Sequence, residues 1–178
     1  MIKTLIIDGK EIAFKATAAI PRLYRMRFNR DILKDIAQLK NAFSKAVTES
    51  EQLSVIDLEI FENAAYIMAK HASPETVPNN IEDWLDNFKT FSIFEILPEI
   101  LMLWAENEET QVESKKKIKP SCREMTTPLF MLRCYQMNIP AKELELYTMG
   151  FIYDMFTERS NDDYDYPIKA TQEDFDNF

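Results

Sequence analysis

The sequence predicts a mainly α-helical protein that begins with a β-hairpin. The chain has 2 glycines against 8 prolines, whereas all-β folds need many turns in which glycine is favoured. Apolar residues recur at helical spacing through most of the 178 residues. Near the N-terminus, an Asp-Gly pair stands between two short apolar runs, as is typical of a hairpin. The length supports one domain, or a domain with a smaller appendage, that buries a substantial core.

The predicted hairpin occupies residues 1–15, where KTLII and KEIAFK flank Asp8-Gly9. A two-residue type I′ turn there sets the cross-strand pairs, which are Ile7–Lys10, Leu5–Ile12 and Lys3–Phe14. This register puts four apolar side chains on one face, namely Leu5, Ile7, Ile12 and Phe14. Because an isolated hairpin is only marginally stable in water, we expect this face to pack on helices.

Helical patterns follow the hairpin up to residue 72. Pro21 suits the first turn of a helix, and Asp31 is placed to start the next one. The apolar positions of that second helix are Ile32, Ile36, Leu39 and Phe43. Ser54 and Asp57 resemble a capping box ahead of a third helix that is apolar over a wide face.

Two more helices are predicted before residue 108. Asn80 is a cap for the short segment IEDWLDNF, and Thr90 or Ser92 opens the apolar segment that runs to Asn107. Pro98 lies inside that segment and predicts a kink or a restart of the helix. The run FSIFEILPEILMLWA is shorter than the ~20 residues of a membrane span, so we expect a buried segment.

The composition changes at ENEETQVESKKKIKPSCR, and this polar stretch is the best candidate for a linker. Thr127-Pro128 is the expected start of a helix after it, and Pro140 is the expected start of another. Gly150 falls inside the second of these helices, where it indicates close packing or a contact surface. The predicted division of the chain is a hairpin plus helical domain (1–107), a charged linker (108–123), a helical extension (124–159) and a flexible acidic, aromatic tail (160–178).

Charge is distributed unevenly along the chain. The net charge is +6 over residues 1–48, −13 over residues 49–114 and −2 over residues 115–178, which leaves −9 overall. Four arginines with aromatic neighbours, Arg22, Arg25, Arg27 and Arg30, are compatible with nucleic-acid binding. We favour the alternative in which this basic stretch pairs with the acidic middle of the same protein.

The rare residues argue against an enzyme. Cys122, Cys134 and His71 are too few and too far apart for a zinc site, and no metal or cofactor is expected. Gly9 and Gly150 are too distant from each other to form a phosphate-binding loop. His71 ends an apolar helical run, where a positive charge is favoured by the helix dipole, so we expect a structural role for it. We also expect no catalytic residues, no small-molecule substrate, no signal peptide and reduced cysteines.

The opening sequence resembles the start of tail assembly chaperones of long-tailed phages and prophages. In that family a hairpin runs into a phrase that is represented in this chain by Phe14, Lys15, Ala16, Thr17, Ala18, Ala19, Pro21, Tyr24, Arg25, Phe28 and Asp31. Leu23 departs from the phrase, which often has a basic residue there, and Asn29-Arg30 stands where many members have Gly-Arg or Gly-Lys. The segments FSIFEILPEILMLW and REMTTPLFMLRCYQMNIPAKELELYTMGFIYDMFTERSNDDYDYPIKATQEDFDNF resemble the middle and the C-terminal extension of the same family.

The resemblance implies a non-enzymatic chaperone with two protein partners. The N-terminal part would keep the tape-measure protein soluble, and the extension would recruit major tail-tube subunits. The protein would act in the cytoplasm of the bacterial host and be absent from the mature virion. The long form is made in this family by ribosomal frameshifting, and Lys115-Lys116-Lys117 is a candidate for the junction because consecutive Lys codons supply an A-rich slippery sequence.

The candidate partner-binding residues lie in the extension, because two short helices cannot bury all of its apolar side chains against each other. The candidates for the tube protein are Leu129, Phe130, Leu144, Tyr147, Phe151 and Tyr153. Packing of the same residues on the N-terminal domain is the alternative. For the tape measure, we expect the apolar helices of residues 1–107 to provide the surface. Two other functions remain open, a structural component of the virion tail or connector and a helical adaptor that binds nucleic acid or protein; self-association is left open as well.

Overall fold

The structure, a computed structural model, describes residues 1–45, 57–115 and 123–162. These ranges contain a two-stranded antiparallel sheet, seven α-helices and one 3₁₀-helix. The strands are β1 (Ile2–Ile7) and β2 (Lys10–Lys15), and the 3₁₀-helix is Leu144–Leu146. The α-helices are α1 (Ile20–Phe28), α2 (Ile32–Lys45), α3 (Leu58–Ala72), α4 (Ile81–Leu85), α5 (Ile93–Glu108), α6 (Thr127–Gln136) and α7 (Met149–Asn161).

The predicted fold class, mainly helical with an N-terminal hairpin, is confirmed. Some predictions fall on parts of the chain outside the described residues. These are the side chain of Phe43, the cap at Ser54, Lys116 and Lys117 of the frameshift junction, Cys122, and residues 163–178 of the tail.

The hairpin has the predicted turn and register. Asp8 and Gly9 have φ angles of 49° and 74°, and a type I′ turn needs positive φ at both positions. The predicted pairs are all present, namely Ile7–Lys10, Leu5–Ile12 and Lys3–Phe14. On this face Ile7 and Phe14 are buried, and β2 packs along α3. The opposite face leaves Ile2 and Ile6 exposed to solvent.

A buried carboxylate joins α1 to α2. The Tyr24 hydroxyl donates a hydrogen bond of 2.7 Å to Asp35, and the Arg30 guanidinium donates two more, at 2.8 and 3.2 Å. Burial, followed by the hydrogen bond to Asp35, raises the pKa of Tyr24 well above its usual range. Asp35 is 7% exposed, and these three bonds compensate for its loss of hydration. The predicted position of Pro21 in the first turn of α1 is confirmed.

Helix α3 is the centre of the fold, with most of its residues buried. It starts at Leu58, and the Asp57 side chain accepts a 3.2 Å hydrogen bond from the Ile60 N–H, which is an N-cap. Three alanines on α3 have almost no exposed surface, so neighbouring elements approach its backbone closely; these are Ala64, Ala65 and Ala69. The elements packed against α3 include β2, α1 and α2.

An aromatic cluster closes the core beside α3. The Trp84 ring lies 5.6 Å from Tyr66, 5.4 Å from Phe88 and 5.3 Å from Phe91, each at a steep angle. Edge-to-face arrangements of this kind are favourable because the positive ring edge meets the negative ring face. Asn80 is the N-cap residue of α4, as predicted, although its side chain makes no capping hydrogen bond.

Helix α5 runs through Pro98 without interruption, so the predicted alternative of a restart does not occur. Of the two predicted starting residues, Thr90 and Ser92, it is Ser92 that occupies the N-cap position. Proline removes one backbone donor and crowds the preceding turn. The apolar side chains around it are buried in the core, and this packing holds the helix together; they are Ile93, Ile96, Leu97 and Ile100.

Two local predictions for the extension are wrong. The N-cap of α6 is Thr126 rather than Thr127, and the Thr126 hydroxyl accepts a 3.5 Å hydrogen bond from the Leu129 N–H. Pro140 does not open a long helix, because a 3₁₀ turn ends at an extended Tyr147 and α7 starts only after Thr148. The tertiary structure explains the break, since the Tyr147 carbonyl accepts a 2.8 Å hydrogen bond from the N–H of Ala18. The Thr148 hydroxyl then caps α7 by accepting from the Phe151 N–H at 3.1 Å.

Candidate protein-binding surfaces

The extension and the N-terminal part of the protein share one hydrophobic core. Four apolar side chains of the extension have no exposed surface, namely Phe130, Leu144, Met149 and Ile152. They belong to the same continuous cluster as the buried residues of the hairpin and of α1 to α5. Much of the extension's apolar surface is therefore used in folding, and only what remains exposed is accessible to a partner.

Asp31 connects the N-terminal part to α6. Its carboxylate accepts a hydrogen bond of 2.8 Å from the Thr127 N–H and one of 2.9 Å from the Thr127 hydroxyl. The same side chain accepts from the Leu33 N–H at 3.2 Å, so one carboxylate serves the starts of both α2 and α6. The two residues are 96 positions apart in the sequence, so this contact joins the opening segment of the chain to the extension.

The predicted linker lies partly within the described residues, and that part is bound to α7. The Asp154 carboxylate accepts hydrogen bonds of 3.0 Å from the N–H groups of Gln111 and Val112. The Asn161 amide accepts from the Lys115 N–H at 2.8 Å and donates to the Glu113 carbonyl at 3.0 Å. Residues 111–115 therefore run along α7, and their backbone is held by two of its side chains.

The predicted tube-binding residues differ widely in exposure. Phe130 and Leu144 are fully buried, and Leu129 is 8% exposed. Tyr153 is half-buried with its ring centre 5.9 Å from that of Phe130, and burial raises the pKa of its hydroxyl.

The other two predicted residues, Tyr147 and Phe151, form a stacked pair. Their ring centres are 5.4 Å apart, and the two ring planes make an angle of 18°. Phe151 is 49% exposed, which makes it the most accessible of the six predicted residues. Leu146, directly before the pair, is 77% exposed.

Other exposed apolar residues of the extension lie on α6. Leu132 and Tyr135 are 49% and 80% exposed, and they are three residues apart on the helix. They face away from the buried positions Phe130 and Cys134, which are four apart. The sequence contains a signal for these exposed residues, because TPLFMLRCYQ is apolar on more than one face of the helix. A helix that packs on the core with one face leaves the apolar side chains of its other faces in solvent.

In residues 1–107, the apolar helices that we expected to bind the tape measure bury most of their apolar side chains. Leu58 on α3 and Met102 on α5 remain exposed. The exposed apolar residues of this part also include Ile2 and Ile6 on the outer face of the hairpin and Met26 on α1.

The four arginines of the basic stretch have different environments. Arg30 is bound to Asp35, and the Arg27 guanidinium lies 5.8 Å from the ring centre of Tyr66 and donates to the Asn79 carbonyl. Tyr66 and Asn79 belong to the acidic middle segment. Two lysines of residues 1–48 form ion pairs with the same acidic segment, in the pairs Lys3–Glu99 and Lys40–Glu108.

The histidine and the cysteine within the described ranges, His71 and Cys134, are both held in the fold. His71 Nε2 lies 3.0 Å from the Thr17 hydroxyl, and burial lowers the pKa of the imidazole to about 4. The expectation that His71 places a positive charge at the end of α3 is therefore wrong, because the imidazole is neutral at pH 7. Cys134 is a buried free thiol, and burial raises its pKa to about 11, which suppresses the reactive thiolate.

Within the described ranges, His, Cys, Asp and Glu side chains form no group of three or more with the geometry of a metal site. Among the helices described above, none combines the length and the apolar character that crossing a membrane requires.

The chain matches no protein-family model, no curated protein and no solved structure.

Proposed function

We propose that this protein is a non-enzymatic tail assembly chaperone of a long-tailed phage or prophage. It keeps the tape-measure protein soluble and recruits major tail-tube subunits while the tail is built. It works in the cytoplasm of the bacterial host and leaves before the particle is complete. The proposal rests on the order of the family-like phrases along the chain, from the hairpin through FSIFEILPEILMLW to the extension.

The observation that carries the proposal furthest is the presence of apolar side chains in solvent in both parts of the chain. In the N-terminal part, Ile2 and Ile6 are 67% and 75% exposed on one face of the hairpin. In the extension, Leu146 and Phe151 are 77% and 49% exposed. A chaperone with two partners needs two such surfaces, and exposed apolar side chains that lie together on one face are typical of interaction sites.

The deciding experiment is co-expression with the tape-measure protein encoded immediately downstream. We expect the tape measure to be soluble and to co-purify with this chain, and to be insoluble when expressed alone. A tape measure that stays insoluble in the presence of the chain would contradict the proposal.

Point variants separate the two surfaces better than a truncation after Lys119, because removal of the extension would expose the shared core. Ile2→Thr with Ile6→Thr keeps the β-propensity of the strand and removes the apolar outer face. Leu146→Gln with Phe151→Gln removes the two most exposed apolar side chains near the start of α7. The hairpin variant should lose tape-measure solubilisation, and the extension variant should retain it and lose tube-protein recruitment. Each variant is the control for the other.

Two rival functions have direct tests. A structural tail or connector component would be present in stoichiometric amounts in purified virions, whereas the chaperone should be absent when virions are analysed by mass spectrometry. An adaptor that binds nucleic acid through α1 would be retained on heparin at physiological salt, whereas a net charge of −9 predicts no retention of the chaperone.

The long form of the protein is proposed to arise by frameshifting at Lys115-Lys116-Lys117. The nucleotide sequence over these codons tests this part separately. Absence of a slippery heptamer and of an overlapping frame would remove frameshifting and leave the chaperone function in place.

A further inference from the structure

A groove of about 520 Å³ lies between α1 and the start of α6. Its lining residues are Arg22, Arg25, Met26 and Asn29 on α1, and Thr127, Pro128 and Met131 on α6. Met26 is 73% exposed at its edge. The groove therefore combines two guanidinium groups with two thioether side chains, a combination that fits a ligand both anionic and apolar.

The guanidinium groups of this groove have no carboxylate partner among the described residues. The Arg22 Nε atom is buried without a hydrogen-bond partner, and its Nη1 reaches only the Met26 sulfur, at 3.4 Å. Arg30, one turn beyond the groove, is by contrast fully engaged with Asp35. A buried guanidinium donor without an acceptor is costly, so an anion at this position would be stabilised.

An exposed apolar stripe leads away from the groove along α6. Leu132 and Tyr135 continue it towards Gln136, at the end of the helix. The end of α7 lies there as well, since the Arg159 guanidinium donates a 2.9 Å hydrogen bond to the Gln136 carbonyl. Arg133 and Arg159 line a second groove at this end of α6.

We propose that residues 163–178 of the same chain bind along this path and end in the α1–α6 groove. This segment carries five carboxylates against one lysine, and four of its residues are aromatic, namely Tyr164, Tyr166, Phe175 and Phe178. Its acidic and aromatic residues fall into two clusters, at 163–166 and at 173–178. Two clusters match the two arginine pairs, which are Arg133 with Arg159 and Arg22 with Arg25.

The length of the segment allows this path. The described chain ends at Asp162, directly after α7. Helix α6 has 10 residues, so its two ends are about 15 Å apart. Sixteen residues reach up to about 50 Å when extended, so the second cluster arrives at Arg22 without strain. Binding within one chain also benefits from an effective concentration in the millimolar range.

Occupation of the groove would cover Met26 and Leu132, so any partner for this surface would have to displace the chain's own C-terminal segment. The inference is independent of the chaperone proposal, because it concerns an intramolecular contact only.

The test is photo-crosslinking of the full chain with Phe175→p-benzoylphenylalanine. Benzophenone reacts preferentially at C–H bonds next to sulfur, and the groove contains Met26 and Met131. We expect illumination to join position 175 to one of these methionines within the same chain, at a yield that does not depend on protein concentration. Mass spectrometry of the digested monomer identifies the crosslinked peptide.

Matched variants test the role of charge. Arg22→Gln with Arg25→Gln should lower the yield about fivefold or more, because it removes the cationic partners of the segment. A concentration of 0.5 M NaCl should have the same effect, because salt screens ion pairs. Lys89→Gln with Lys142→Gln removes the same charge from exposed positions outside the groove and should leave the yield unchanged. Crosslinked dimers, crosslinks to other parts of the chain, an equal loss in the lysine variant, or no crosslink at all would each overturn the inference.

Discussion

Gly150 lies directly against the carbonyl group of Glu109. A Cβ atom added to this glycine would be 1.7 Å from the Glu109 carbonyl oxygen and 2.5 Å from its carbon. At this point the backbone that ends α5 and the backbone of the first turn of α7 are in direct contact. The close packing expected for a glycine inside a helix is confirmed, and it joins the extension to the residues of the predicted linker.

Gly150→Ala should destabilise the protein, although alanine is the better helix former by ~1 kcal/mol. A backbone carbonyl cannot move out of the way as a flexible side chain does, so α7 or residues 109–115 must shift. We expect the free energy of unfolding to fall by about 2–3 kcal/mol, as for other overpacked sites. Urea unfolding monitored by circular dichroism measures this. Ser160→Ala, an exposed position of the same helix, is the control and should change stability little.

Asp31→Asn should weaken the docking of the extension. The variant removes the charge that supports two hydrogen bonds from Thr127 and one from Leu33, and we expect a loss of about 2 kcal/mol. Thr127→Val removes only the hydroxyl, and a double-mutant cycle of the two changes should give a coupling energy of about 1 kcal/mol. Asp86→Asn, at an exposed position, is the control. Strictly additive effects would show that the carboxylate and the hydroxyl do not interact.

The hairpin is the part of the fold that sequence reasoning predicts best, because its signals are local. Asp8-Gly9 suits a turn with two positive φ angles, and alternation of apolar residues sets the register of strands only two residues apart. Pro21 in the first turn of α1 and Asn80 at the N-cap of α4 are likewise encoded within a few residues.

Local sequence signals do not predict contacts between residues that are far apart in the sequence. The break before Thr148 depends on Ala18, and the binding of residues 111–112 depends on Asp154. The exposure of an apolar residue such as Leu132 depends on which element covers it. For the same reason, the apolar character of Phe130 predicts a partner-binding residue, whereas the structure buries its side chain completely.

Asp154→Asn should release residues 111–112 from α7. Its carboxylate holds the N–H groups of Gln111 and Val112, and each charge-assisted bond is worth about 1.5 kcal/mol. We expect hydrogen exchange at these two amides to become about tenfold faster, whereas exchange in α3 should not change. Glu158→Gln, one turn further along α7, is the control. Unchanged exchange at residues 111 and 112 would mean that Asn161 alone holds the segment.

His71 should make the stability of the protein depend on pH in the range where histidine titrates. Burial lowers its pKa to about 4 in the folded state, whereas an unfolded histidine has a pKa near 6.5. The charged groups that act on it are Lys15, the N-terminal amine and Glu145, of which the two cationic groups disfavour the protonated form. Below pH 6.5 the unfolded state therefore binds a proton that the folded state does not.

The stabilisation contributed by neutral His71 should be fully present above pH 6.5 and should decrease as the pH falls towards 4. Because the side chain is only partly buried, we expect a loss of about 1 kcal/mol, well below the full linkage value. His71→Gln cannot titrate, and its amide is able to bond to the Thr17 hydroxyl. Urea unfolding of both proteins at pH 7.0, 6.0 and 5.0 should show the stability of the wild type declining relative to the variant, while carboxylate titration cancels in the difference. A constant difference would mean that His71 is protonated with the same pKa in both states, and its 3.0 Å contact with Thr17 would then not depend on a neutral ring.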